Sequence, residues 1–144
     1  MKTICILVLG LFMTSCMTFT MVSAPKKQKE IVIDGTKDEL YVRANIWMAR
    51  TFTSSKSVIQ FQDKDNGVIV GKYLMLTAAP NDVYSMVTIY VKDKKTKIEI
   101  EPMGEWQYWD GIGSFSVDDC KKLMDGMILK YELFLKSNEQ IWSN

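Results

Sequence analysis

The pattern of apolar and polar positions in residues 31–73 predicts a strand, a helix and a hairpin in one uninterrupted run. Ile31, Val32 and Ile33 form a short β-branched stretch that ends at the turn signal Asp34 and Gly35. Beyond it, apolar residues recur at helical spacing along one side: Leu40, Tyr41, Ala44, Trp47, Met48, Thr51 and Phe52. The runs 57–62 and 68–73 then predict two strands, which the segment 63–67 joins through a tight turn.

Two further features of this region bear on packing. Thr36 and Glu39 have the spacing of a capping box, which predicts that the helix begins there. Val42, Ile46 and Ala49 form a second, weaker apolar strip on the same helix. This strip is compatible either with more core or with contact to a partner.

The second half of the chain predicts two more strands and a longer helix. Residues 83–91 alternate and are apolar on both sides, which is typical of a central strand, and residues 96–103 return as its hairpin partner. A helix begins at Ser116, and its apolar residues share one sector: Val117, Cys120, Leu123, Met124, Met127, Ile128, Tyr131, Phe134 and Leu135. The order β-α-β-β-β-β-α predicts an α+β two-layer domain, an antiparallel sheet of about five strands with two helices on one face.

The first residues have the features of an export signal. Lys2 precedes an apolar run over 4–13 that is too short to span a bilayer, which requires about 20 residues in a helix. The run ends in Met13, Thr14, Ser15 and Cys16, a sequence that resembles a bacterial lipobox. We therefore expect a lipoprotein signal peptide over 1–15, a flexible tether over 16–29 and a single α+β domain over 30–144.

Cys16 is accordingly the predicted lipidation site and the membrane contact. The expected location is the cell envelope, either on the periplasmic side or at the outer membrane. A rival interpretation places the cut after Ala24 and yields a secreted or periplasmic soluble protein. Either way Cys120 is the one thiol of the domain, so no internal disulfide is expected.

Charge argues against one class of partner. The chain has 18 basic and 17 acidic residues, and removing Lys2 with the signal peptide leaves the two signs balanced. A neutral domain lacks the basic surface that nucleic-acid binders use, so no nucleic-acid partner is expected.

The stretch from Asp34 to Tyr41, followed by Asn45 to Trp47, 57–61 and Gly67 to Lys72, resembles domain-of-unknown-function family 4468. The resemblance is specific over residues 31–73. It implies a TATA-binding-protein-like fold and an exported protein or lipoprotein of Bacteroidetes-type bacteria. It brings no catalytic residues with it, and the fold name implies no DNA binding because fold does not determine function.

The chain contains no histidine, which removes imidazole bases, Ser-His-Asp arrangements and most zinc sites. Asp63, Asp65 and Asn66 precede Gly67, but their spacing does not match a calcium-binding loop, so a hairpin turn is the better interpretation. No catalytic residue, cofactor or metal is predicted.

Two functional hypotheses remain open. The favoured one is a non-enzymatic, lipid-anchored binding or assembly module of the envelope, with Trp106, Tyr108 and Trp109 as candidate contacts to a protein or glycan. A cover for the open end of the core is the better interpretation of these aromatic residues taken alone. The alternative is a carboxylate-dependent hydrolase of envelope glycan or peptide that uses Glu99 and Glu101, which alternate on one strand face.

Overall fold

The computed structural model describes residues 20–22, 24–54, 56–77, 82–103, 106–108 and 116–142, with the backbone alone for 20–22, 106–108 and 138–142. Its elements, in chain order, are β1 (Thr20–Val22), β2 (Lys27–Val32), α1 (Lys37–Thr51), β3 (Val58–Asp63), β4 (Val68–Leu76), β5 (Val83–Lys92), β6 (Lys95–Met103), β7 (Trp106–Tyr108) and α2 (Val117–Trp142).

Five of the strands form one antiparallel sheet in the order β2-β6-β5-β4-β3, and both helices pack on the same face of it. This confirms the predicted α+β class and the placement of the helices. Strands β1 and β7 pair with each other in a separate two-stranded ribbon. Residues 106–108, which include two of the three candidate aromatic contacts, therefore form a short strand.

The core lies between the sheet and the helices. The inward positions of β5 and β6 are buried: Val83, Val87, Ile89, Val91, Ile98 and Ile100. They meet the apolar sectors of the helices, where Leu40, Ala44 and Met48 on α1 and Met124, Tyr131 and Leu135 on α2 are fully enclosed. Each large aliphatic side chain buried this way contributes about 1.5–3 kcal/mol.

Both helices begin at a reciprocal cap. The Thr36 hydroxyl accepts from the Glu39 amide, and the Glu39 carboxylate accepts from the Thr36 amide at 2.8 Å. Ser116 and Asp119 make the same pair of bonds at the start of α2, each 3.1 Å long. Local chemistry therefore sets the first turn of each helix before any packing does.

Two strands are longer than the sequence pattern predicts. β2 begins at Lys27 rather than Ile31, because residues 27–30 pair with residues 97–100 of β6. β4 continues to Leu76, beyond the predicted end at Tyr73. β1 and the start of β2 therefore lie inside the segment that the sequence predicted as a tether. The polar residues at the start of β2 gave no strand signal, because Lys27 and Lys29 occupy inward positions and reach acidic residues of α2.

The segment 63–67 is a tight hairpin turn, as the sequence predicted. The Asp63 carboxylate accepts from both the backbone amide and the side-chain amide of Asn66. Gly67 has a φ of +66°, and a Cβ there would lie 2.3 Å from the carbonyl oxygen of Val91. Only glycine satisfies both constraints at this position.

Among the described residues, no helix combines the length and the hydropathy that crossing a membrane would require.

Candidate functional site

The face of the sheet opposite the helices is the candidate binding surface, and we call it the open sheet face. Side chains of directly paired residues point to the same side, so the register identifies its members. One part, the apolar half, comprises Val58 and Phe61 of β3, Val68, Val70 and Leu74 of β4, Tyr84 and Met86 of β5, and Met103 of β6. Phe61 is 53% exposed and Val58 is 51% exposed. The apolar half is therefore accessible to a partner.

The other part, the charged half, lies over β6 and β2. Its ionic groups are mutually paired: Lys97 donates to Glu99 at 2.6 Å, Lys26 donates to Glu99 at 3.3 Å, and Lys95 donates to Glu30 at 3.2 Å. A shallow depression of about 260 Å³ opens here, lined by Glu30, Tyr90, Lys92, Lys95, Thr96 and Lys97. The pairing leaves the charged half close to electrically balanced.

Lysines also lie over two aromatic rings of the central strand β5. The Lys72 ammonium is 4.0 Å from the centre of the Tyr84 ring, and the Lys97 ammonium is 4.5 Å from that of Tyr90. Such cation–π contacts contribute about 0.5–1 kcal/mol at exposed sites. They hold the aromatic faces of β5 in place on the open sheet face.

The two glutamates of the hydrolase hypothesis both lie on this face, opposite Thr88 and Met86. The hydrogen bond from Lys97 lowers the pKa of Glu99, and Lys26 adds to the effect against a smaller contribution from burial. A glycosidase acid needs a raised pKa so that it stays protonated near neutral pH. The surroundings of Glu99 therefore disfavour the role of general acid.

The described residues provide no other reactive centre. No group of three or more metal-ligating side chains occurs within the part of the chain that the structure describes. Cys120 is buried in the core, as its place in the apolar sector predicted, and burial raises the pKa of its thiol to about 11. A thiol that stays protonated at neutral pH is a poor nucleophile.

The structure tests the predicted contact residues only through the backbone. Trp106 and Tyr108 lie on β7, where they pair with Val22 and Thr20 of β1. Trp109 and Cys16 lie outside the described residues. The sequence analysis did not single out Phe61 and Tyr84, although the apolar character of both sides of 83–91 was the signal that a second face of the sheet is apolar.

Comparisons with known proteins agree on the fold. The model of a family described as "Domain of unknown function (DUF4468) with TBP-like fold" matches residues 28–105. A DUF4468 family protein from Bacteroides ovatus has a similar crystal structure, with 16% identity, a TM-score of 0.50, and coverage of 83% of this chain and 86% of that one. A TBP-like protein from Parabacteroides distasonis has 11% identity, a TM-score of 0.57, and coverage of 77% and 92%. No curated protein matches the sequence.

Proposed function

Since the chain belongs to the DUF4468 family, whose fold is TBP-like, we propose that it is a non-enzymatic, lipid-anchored module of the bacterial cell envelope that binds a protein or glycan partner through its open sheet face. The uncovered apolar half of that face carries the proposal. Antiparallel sheets commonly present polar residues on the side that faces water. A solvated sheet face that instead presents Phe61, Val58 and Met103 is typical of a contact surface.

The placement of residues 20–22 and of Ala24 supports anchoring at Cys16 over cleavage after Ala24. Ala24 is buried as part of the core, and residues 20–22 pair with β7. Cleavage before Cys16 keeps these contacts in the mature protein, whereas cleavage after Ala24 would remove β1 and Ala24 from it.

The same segment limits how far the lipid lies from the domain. Three residues separate Cys16 from Thr20, so the chain between them spans at most about 14 Å when fully extended. The anchor would therefore hold the β1–β7 ribbon close to the membrane. Trp and Tyr are enriched at the membrane–water interface, which suits Trp106 and Tyr108 at this position.

The anchor is tested by labelling growing cells with a radioactive fatty acid and by mass spectrometry of the mature N-terminus. We expect a diacylated Cys16 in the native protein and loss of the label in Cys16→Ala. Cys5→Ala is the matched control and keeps the label, because that residue is discarded with the signal peptide. A mature protein that begins at Pro25 without an acyl group would contradict lipidation.

The binding surface is tested by placing a photo-crosslinking amino acid at position 61 in the native envelope. We expect covalent capture of a protein or glycan from position 61. In separate pulldowns without a crosslinking residue, we expect Phe61→Ser to lose that partner without loss of folding. Val32→Ser is the control, because Val32 is 78% exposed and pairs with Lys95 on the charged half. If position 61 captures nothing and the purified protein binds neither envelope glycans nor peptides, the proposed function is wrong.

A further inference from the structure

The outward surface of the helical layer carries exposed aliphatic side chains. α1 and α2 bury their apolar sectors against the sheet, and the opposite sides face water. Yet five large hydrophobic residues among the described side chains of the two helices are exposed: Val42, Ile46, Leu123, Leu129 and Leu133. Because Val42 and Ile46 are exposed, the second apolar strip of α1 does not extend the core, which was one of its two alternatives. We call this outward side the helical surface.

Three cations line the seam between the helices. Arg43 and Arg50 share the flank of α1 that carries Trp47, whose ring lies 4.8 Å from that of Tyr131 on α2. The Arg50 guanidinium carbon is 5.8 Å from the centre of the Phe134 ring, and Lys130 lies one turn before Phe134. None of these three cations forms an ion pair with a carboxylate of the described residues.

The acidic residues of the helices are occupied elsewhere. Asp125 and Glu132 bind Lys27 and Lys29 of β2, and Glu132 also accepts from Lys136. Asp118 and Asp119 pair with the neighbouring Lys121 and Lys122. Glu39 closes the cap of α1. Asp38 pairs with Lys64 of the β3–β4 turn. Glu39 also attracts Arg43, one turn later on α1. Arg50 and Lys130 form no ion pair with a carboxylate of the described residues, so their positive charge is available at the seam.

Arg43 is the most deeply buried of the three cations. It is only 9% exposed, and its Nη1 atom is buried without a hydrogen-bond partner within the described part of the chain. A buried cationic donor without a partner is costly. An external anion at the seam would lower that cost through space, since the buried Nη1 atom cannot itself contact it.

From these observations we propose that the helical surface lies on an anionic phospholipid membrane, with the aliphatic side chains entering the interface and the seam cations binding the headgroups. Cationic and aliphatic groups on one helical face are the chemistry of interfacial membrane binding. A second copy of the chain whose twofold axis passes through the seam would place the same cations opposite each other, which is unfavourable. Trp47 and Tyr131 pack against each other between the helices, and Arg50 lies over the Phe134 ring.

The proposed membrane contact of the helical surface does not depend on the lipid anchor. The test below therefore distinguishes a failure of the contact from a failure of the anchor. A single cysteine is introduced into the full chain as Leu133→Cys on the helical surface or as Phe61→Cys on the open sheet face. The two positions are 56% and 53% exposed, so they form a matched pair. Cys120 does not compete for a thiol-reactive fluorophore at neutral pH, because it is buried and burial raises its thiol pKa to about 11.

The mature protein is reconstituted into vesicles of phosphatidylcholine alone or mixed with phosphatidylglycerol. We expect the label at position 133 to report an apolar environment, and to be quenched by brominated lipid, only in the vesicles that contain phosphatidylglycerol. The label at position 61 stays in water in both. Arg50→Gln and Lys130→Gln, combined, lower the docked-to-undocked ratio about 25-fold, since each cation near an anionic surface contributes about fivefold.

A label at position 133 that stays in water on phosphatidylglycerol vesicles overturns the proposal. Equal responses at positions 61 and 133, or a response that the two charge substitutions leave unchanged, also overturn it. If a crosslinker at position 133 captures an envelope protein instead of lipid, the helical surface binds that protein and the membrane proposal is wrong. If mass spectrometry finds no acyl group, the membrane contact is tested by cosedimentation of the same chain with the two vesicle types, because docking through the helical surface needs no anchor. The proposal then requires binding to the vesicles that contain phosphatidylglycerol and not to the others.

Discussion

The open sheet face and the helical surface differ in how their charges are arranged, although both expose large apolar side chains. On the sheet face, the lysines of the charged half bind Glu30 and Glu99 or lie over tyrosine rings. On the helical surface, Arg50 and Lys130 form no ion pair with a carboxylate of the described residues. Exposed apolar area alone therefore does not identify the partner. The balanced face suits an uncharged or apolar contact, and the unbalanced one suits an anionic surface.

The comparison requires that the two sides of α1 have different roles, and a matched pair of substitutions tests this requirement. Leu40 is fully buried and Val42 is 51% exposed, two residues apart on the same helix. Leu40→Ala is expected to lower the free energy of unfolding by about 2–5 kcal/mol, because it leaves a cavity under the helix. Val42→Ala is expected to change it by less than about 0.5 kcal/mol. Urea denaturation measures both values.

If Val42→Ala destabilises the protein as much as Leu40→Ala, the strip on α1 belongs to the core and the helical surface is not free. A small effect of Leu40→Ala would contradict the packing of α1 on the sheet.

Two glycines test the same difference between the side of the helices that packs on the sheet and the side that faces outward. A Cβ at Gly71 would lie 2.3 Å from Phe52 and 2.7 Å from Met48, whereas a Cβ at Gly126 on α2 would meet nothing within 4 Å. Gly71→Ala is expected to destabilise the protein by about 1–3 kcal/mol, because the Phe52 and Met48 side chains must move. Gly126→Ala is expected to stabilise it by up to about 1 kcal/mol, because alanine favours the helix. Thermal unfolding of both variants measures the opposite signs.

A destabilising Gly126→Ala would mean that this part of the helical surface is in contact with another part of the chain. A neutral Gly71→Ala would mean that the end of α1 does not press on β4.

Periodicity and capping chemistry predicted most of this fold from the sequence. The Thr36 and Ser116 caps, the alternation in 83–91 and the apolar sector of α2 are local patterns, and the structure keeps them except at Leu123, which the sector predicted as buried and which is 40% exposed. The start of β2 was missed because Lys27 and Lys29 sit at inward positions of an edge strand. They stay partly exposed there and bind Asp125 and Glu132, which lie about a hundred residues later. No local pattern carries that information.

The binding surfaces were less predictable than the fold. Whether Val42 and Ile46 are core or surface depends on what α2 covers, and the spacing within α1 does not reveal it. The open sheet face depends on register, since Phe61 faces away from the helices only because a bulge between Ile59 and Phe61 shifts the pairing of β3. Whether Arg50 and Lys130 are paired likewise becomes visible only when the described carboxylates of the layer have been assigned to their partners.

The edge of the helical layer, where α2 lies against β2, provides the last test. Charges of opposite sign are paired at this edge, whereas the seam cations form no ion pair with the described carboxylates. The Glu132 side chain is 16% exposed and accepts hydrogen bonds from Lys136 at 2.8 Å and from Lys29 at 2.6 Å. These bonds lower the pKa of Glu132 from 4.5 to about 2. A lowered folded-state pKa stabilises the protein above the unfolded-state value, and that stabilisation is lost as the pH falls from about 4.5 toward 2.

Glu132→Gln is therefore expected to lower the free energy of unfolding at pH 7 by up to about 1 kcal/mol, since both lysines are half exposed and solvent screens the pairs. The difference from the native protein should shrink below pH 4.5 and vanish only below pH 2, because the folded-state pKa is about 2. Denaturant titrations at pH 7, 4 and 2.5 measure this trend, and a double-mutant cycle with Lys29→Met isolates the contact to β2. A difference at pH 2.5 as large as the one at pH 7 would show that Glu132 acts through packing, and the contrast between a paired edge and an unpaired seam would then fail as an electrostatic one.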